Sequence, residues 1–95
     1  MIQSFACRET EALHHGTQKR DRPLPRPLWP VAHRKLDALD AALRLDDLRI
    51  PPGNQLEALR GDRSGQHSIR INDQYRLCFV WQENGPGQVE ITDYH

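Results

Sequence analysis

Ninety-five residues leave room for one domain, residues 1–95, and one modest core. With 37% hydrophobic and 27% charged residues and a formal net charge of zero, the composition suits a globular protein. It argues against one that grips nucleic acid through bulk charge alone. No apolar run approaches the roughly 18 residues of a membrane span. The first residues lack the basic start and apolar core of a signal peptide, so a cytoplasmic location is expected. Cys7 and Cys78 form no C-x-x-C pair and read as small buried hydrophobes.

Charge is unevenly spread. Between residues 19 and 35, Lys19, Arg20, Arg22, Arg26, Arg34 and Lys35 face only Asp21, a local net charge of +5. Residues 36–59 carry two arginines against five carboxylates, a net −3.

In chain order, Ile2 to Phe5 reads as a short strand at a sheet edge, and Arg8 to His15 as a helix packing through Ala12 and Leu13. Gly16 and four prolines at 23, 25, 27 and 30 break any continuous helix, which makes 16–30 a flexible linker between two helices. Pro30 suits the first turn of the next helix. Ala32, Leu36, Leu39 and Leu43 then form an apolar stripe that predicts a helix ending near Leu45, with Asp40 and Arg44 as an i,i+4 pair.

Beyond Pro51-Pro52-Gly53-Asn54 the period changes to that of strands. Residues 55–60 predict a short strand. His67, Ile69 and Ile71 alternate with Ser68 and Arg70 in a half-buried one. Asn72-Asp73-Gln74 reads as a tight turn, and Tyr75 to Gln82 as a central strand with two apolar faces. Asn84 to Gly87 predicts a second turn before a last strand, Gln88 to Tyr94. The expected class is α+β, a β-α-α-β-β-β-β chain with helices on one face of a largely antiparallel sheet.

The residues alone signal little chemistry. There is no phosphate-binding glycine loop, no zinc spacing and no nucleophile elbow, so neither metal nor cofactor is expected. His14, His15 and His33 read as surface histidines and His67 as a core histidine. By the two-residue period Asp93 and His95 share a strand face. Arg70 and Arg76 flank one turn, and Arg60 ends another strand. Guanidiniums gathered on one concave surface would bind a phosphate, and an imidazole beside them could exchange protons. A frayed terminal histidine and arginines in ordinary surface ion pairs account for the same residues, and spacing alone does not favour catalysis.

Three stretches carry a resemblance. Leu56 to Gly65 has the pattern L-x-x-L-x-G-x-R-x-G, Ser68 to Arg76 has S-I-R-x-N-x-x-x-R, and Asp93, Tyr94 and His95 give D-Y-H. With Ile2 to Phe5, these resemble the HigB toxins, plasmid-maintenance killer proteins of the RelE superfamily, and among them the GraT branch. The resemblance implies a RelE-like fold, two N-terminal helices on a five-stranded sheet. It implies a metal-independent endoribonuclease that cuts mRNA in the ribosomal A site, using the ribose 2′-hydroxyl as nucleophile. A HigA-like helix-turn-helix antitoxin would silence it in a hetero-oligomer, the free toxin being a monomer.

By matching position, His95 is then the general acid, Asp93 its orienting partner, and Arg60 and Arg76 the phosphate-holding pair. Arg63, Arg70 and Tyr94 are further RNA contacts. Some HigB toxins have histidine in place of Glu57 and lysine in place of Arg60. Arginine keeps the charge but does not readily give up its proton, whereas Glu57 has a carboxylate that could serve as a base. Two other readings remain: a RelE-fold module that captures its antitoxin and corepresses their operon, and an A-site inhibitor that blocks without cutting.

Overall fold

The computed structural model describes residues 1–20 and 24–93. Among them are two α-helices, α1 (Arg8–His15) and α2 (Trp29–Ala41), and four strands. The strands are β1 (Glu57–Ala58), β2 (His67–Arg70), β3 (Tyr75–Gln82) and β4 (Gly85–Asp93), paired antiparallel in the order β1-β2-β3-β4.

Helix α1 carries Glu9 and Glu11 in its first turn and His14 and His15 in its last, the arrangement its dipole favours. Gly16 ends it at φ 77°, and the amides of Gly16 and Thr17 close back on Leu13 and Ala12. Leu13 enters the core as expected. Ala12 stays half-buried and the buried Thr10 takes its place, its Oγ1 accepting the Ile91 amide at 3.1 Å. That bond ties α1 to β4.

Helix α2 buries Ala32, Leu36 and Leu39. It stops at Ala41, earlier than its stripe predicts, and Leu43 is 88% exposed. Asp47 explains the stop: its Oδ2 accepts the amides of Leu43 and Arg44 at 2.9 and 3.0 Å, capping a 3₁₀ turn over Leu45–Arg49. Asp40 accepts the Ile2 amide at 2.8 Å. The i,i+4 pair with Arg44 does not form, because Arg44 has already left the helix.

The two amide donors hold the Asp47 carboxyl below its ordinary 3.8. A depressed folded value contributes stability above 3.8 that is lost as pH falls through it. Thermal melts of Asp47→Ala and the wild type should therefore differ at neutral pH and converge once acid has protonated the folded carboxyl.

The stretch read as a linker is partly structured. A 3₁₀ turn spans Arg26–Leu28, and Leu24 is 1% exposed in the core. The Leu24 carbonyl accepts Trp29 Nε1 at 2.9 Å, and the Arg26 guanidinium lies 4.7 Å from the Trp29 ring centre. Residues 21–23 of the expected linker lie outside the described residues.

Two predicted strands are corrected. Ile2 to Phe5 is not a fifth strand: it runs parallel to β4 and makes a single bridge, Phe5 to Val89. Beside it Gln88 has φ 51°, and the β3–β4 register shifts between Cys78 and Val80. This bulge kinks β4 and interrupts any longer ladder. The segment is held there by Gln3 N to Pro86 O, Val89 N to Ser4 O and Ala6 N to Val89 O, at 2.7 to 3.1 Å. Strand 55–60 shrinks to Glu57–Ala58, because Gln55 is left-handed at φ 47° and a 3₁₀ turn begins at Gly61.

The first hairpin turns where predicted. Asn72 Oδ1 accepts the amides of Gln74 and Tyr75 at 2.9 and 2.8 Å. The second turns earlier, at Glu83 and Asn84, and Gly85 to Gly87 already belong to β4. Gly85 sits at φ 135°, where a Cβ would come within 2.4 Å of the Met1 carbonyl oxygen. Only glycine lets the N-terminal segment lie this close.

The core lies between the helices and one face of the sheet. Leu36, Leu39, Ile69, Leu77, Phe79 and Val89 are all fully enclosed there. In so small a core, truncating one such leucine to alanine costs about 2–5 kcal/mol.

A candidate phosphate-binding face

Directly paired residues of an antiparallel ladder share a face. Ile69, Leu77 and Ile91 form one row across the sheet, towards the helices. On the opposite face, Glu57, Ser68, Cys78 and Glu90 form a row across all four strands. Two residues further along β3 lies a second row, Arg70, Arg76 and Thr92.

Arg76 dominates this face. It is 9% exposed, and its Nε donates to Ser68 Oγ at 2.7 Å. Nη2 donates to the Gln55 carbonyl at 2.5 Å and the Ser68 carbonyl at 3.4 Å. Glu57 Oε1 lies 3.6 Å from Nε and is 53% exposed. Three neutral acceptors and a carboxylate fix the guanidinium before any ligand arrives, which is how a charge is preorganised.

Further along the first row the 3₁₀ turn Gly61–Arg63 brings Arg63 over the sheet. Its Nη1 donates to Glu90 Oε1 at 2.7 Å and to Gln66 Oε1 at 3.0 Å. Arg70 pairs with the outlying carboxylate of Asp73.

The expected site residues thus fall in different places. Glu57, Arg63, Arg70 and Arg76 share one face. Arg60 is exposed just before the 3₁₀ turn and joins none of these contacts among the described residues. Asp93 ends β4 opposite Tyr75, on the helix side of the ladder, where its Oδ2 accepts Gln74 Nε2 at 2.9 Å. Tyr94 and His95 lie outside the described residues. His67 pairs with Phe79 and stacks on it at 6.3 Å, on the helix side and away from the arginines. His33 pairs with Asp37 at 3.3 Å and lines an apolar cavity of about 230 Å³ between α1 and α2, remote from this face.

Ser68 and Glu90 were not singled out in the sequence. Ser68 alternates with Ile69 on the same side as Arg70, so its face was legible; its role as the acceptor for Arg76 needed the β2–β3 register. Among the described residues, no group of three or more His, Cys, Asp or Glu side chains is placed to hold a metal ion. No described helix is long and apolar enough to cross a membrane.

Helices on one face of an antiparallel sheet and guanidiniums on the other define a small α+β class with a recognisable relative. A chain of the YoeB–YefM complex from Staphylococcus aureus superposes with a TM-score of 0.61 over 100% of this chain and 95% of its own length. At 18% identity, that likeness concerns the fold. The sequence model of a family described as the RelE-like toxin of type II toxin-antitoxin system HigB matches residues 7–95. Toxin HigB-1 of Vibrio cholerae is 52% identical over 63 residues, 66% of each chain. An uncharacterized protein of Haemophilus influenzae is 43% identical over 61 residues, 64% of this chain and 60% of its own length. The matched segments thus span somewhat under two thirds of these relatives. The chain belongs to the HigB-like family of RelE-like type II toxins.

Proposed function

We propose that the chain arrests growth as a metal-independent endoribonuclease, cutting mRNA in the ribosomal A site until a HigA-like antitoxin captures it. The observation that carries this reading is Arg76, a nearly buried guanidinium fixed by Ser68 and Gln55 on the sheet face turned away from the helices, with Arg70 directly across from it and Glu57 beside it.

In the proposed reaction the ribose 2′-oxygen attacks the adjacent phosphorus, and its proton passes to a base. The bond to the 5′-oxygen breaks, giving a 2′,3′-cyclic phosphate, and the departing oxygen takes a proton from an acid. Charge gathers on the phosphate oxygens, where Arg76 and Arg60 compensate it, with Arg63, Arg70 and Tyr94 holding the flanking backbone. Glu57 is the candidate base, its carboxylate kept ready beside the guanidinium. His95 is the candidate acid, and Asp93, set on the helix side of the ladder, would orient it from behind the arginine face rather than from within it. Binding in the A site would supply the positioning that a chain of zero net charge cannot obtain from free RNA.

The test is primer extension on mRNA from cells expressing the chain. New 5′ ends within codons are expected as growth stops. Growth arrest without new ends would overturn the cutting mechanism and leave an A-site blocker. Operon repression without arrest would leave a corepressor.

A further inference from the structure

The turn that holds Arg76 holds a second cation as well. Gln55 gives its carbonyl to Arg76, while its neighbour Asn54 accepts a hydrogen bond from Lys35 of α2 through Oδ1. Asn54 is fully buried, its Nδ2 donating to the Leu48 and Ile50 carbonyls at 3.1 and 3.4 Å, so the acceptor offered to Lys35 is rigid. Beyond Ser68, strand β2 is the edge of the sheet, because β1 pairs only with His67 and Ser68. The Pro52–Asn54 turn packs against β2 at this edge. A cationic rim results at this edge: adjacent residues of one turn hold Lys35 and Arg76, and Arg70 stands across the ladder from Arg76.

The charges along this rim are not balanced alike. Arg76 has Glu57 and Arg70 has Asp73. The ammonium of Lys35 has a neutral amide and, among the described residues, no carboxylate. Burial, then the nearby charges of Arg34 and Arg70, lower the Lys35 pKa from its ordinary value. Gathering like charges round a half-buried ammonium is unfavourable in the free protein, and a bound anion reverses the balance.

We infer that Lys35 and Arg70 form a second anion subsite that holds a nucleic-acid backbone phosphate flanking the one at Arg76. The identity of the anion rests on the proposed RNA chemistry. The phosphate could belong to mRNA or to ribosomal RNA.

The experiment measures binding against salt with two probes: a short RNA whose 2′-hydroxyls are blocked by O-methyl groups, and bacterial ribosomes without mRNA. Lys35→Gln removes the charge while keeping a donor for Asn54, so a merely structural role would leave the salt dependence unchanged. Loss of one phosphate contact to single-stranded RNA should reduce the slope of log K against log salt by about 0.7, or about five-fold in affinity per tenfold change in salt. A reduced slope with the short RNA assigns the phosphate to mRNA, and with ribosomes alone to ribosomal RNA. Arg70→Gln, whose described partner Asp73 is exposed, gives the same readout should Lys35→Gln fail to fold. An unchanged slope with both probes, or no binding by the wild type at low salt, would overturn the subsite. Cutting is read separately: cleavage with an unchanged slope removes the rim alone, and a reduced slope without cleavage removes the nuclease reading alone.

Discussion

Arg76→Ala is expected to abolish RNA cutting and to lower stability together. Truncation leaves the Ser68 hydroxyl and the Gln55 carbonyl without their donor and strips Glu57 of its cation. Unsatisfied buried groups cost about 1–3 kcal/mol each, partly relieved here because Gln55 and Glu57 reach solvent. Removing one preorganised donor to a developing oxyanion costs about 10²–10³-fold in rate. Arg76→Lys separates the two effects. It keeps the charge but cannot satisfy Ser68 and Gln55 while presenting a flat fork to phosphate, so activity should fall further than thermal stability. Melting curves beside cleavage rates on programmed ribosomes check both. Full activity in Arg76→Ala would remove this face from the reaction.

Local periodicity made much of the fold legible. The Ala32, Leu36 and Leu39 stripe marked α2, and the alternation through His67–Ile71 and Tyr75–Trp81 marked the hairpin whose faces separate core from site. What escaped depends on contacts between residues far apart in the chain, or on one residue's backbone angle. Asp47 reaching back to Leu43 ends α2 early, and the left-handed Gln88 kinks β4 so that the N-terminal segment makes one bridge. Leu24 looked like part of a pliant proline-rich stretch, and only the assembled core shows where it packs.

The site divides in the same way. Alternation alone places Ser68 and Arg70 on one side of β2, and Arg76 on one side of β3. That Arg70 stands across from Arg76, that Ser68 receives its Nε, and that Glu90 holds Arg63 follow from register and from a turn, which no single segment encodes. Asn54 read as a turn former, yet it is buried and links α2 to the turn that fixes Arg76. Asp93 illustrates the reverse: its motif suggested a place beside the arginines, whereas its register sets it opposite Tyr75.

The second large effect is expected at His95. In the proposed reaction the departing 5′-oxygen needs a proton near neutral pH, and imidazole is the side chain best matched to supply one. The described face holds no imidazole among its arginines, and Glu57 is assigned to the opposite transfer. Losing a general acid costs about 10²–10⁴-fold, enough to turn a growth-arresting protein into a tolerated one. His95→Ala should therefore relieve arrest at equal expression while the slope of RNA binding against salt stays that of the wild type. Undiminished toxicity would move the proton donor elsewhere, with Glu57 the next residue to replace, since His67 lies on the helix side.

The chemistry of the cut ends tests the central claim most directly. Purified chain is mixed with ribosomes carrying a defined mRNA, and the upstream fragment is weighed by mass spectrometry. Attack by the 2′-hydroxyl predicts a 2′,3′-cyclic phosphate, or the 3′-phosphate it hydrolyses to, and a 5′-hydroxyl on the downstream piece. A 3′-hydroxyl paired with a 5′-phosphate would contradict the account, because those ends require attack by water with the 3′-oxygen leaving.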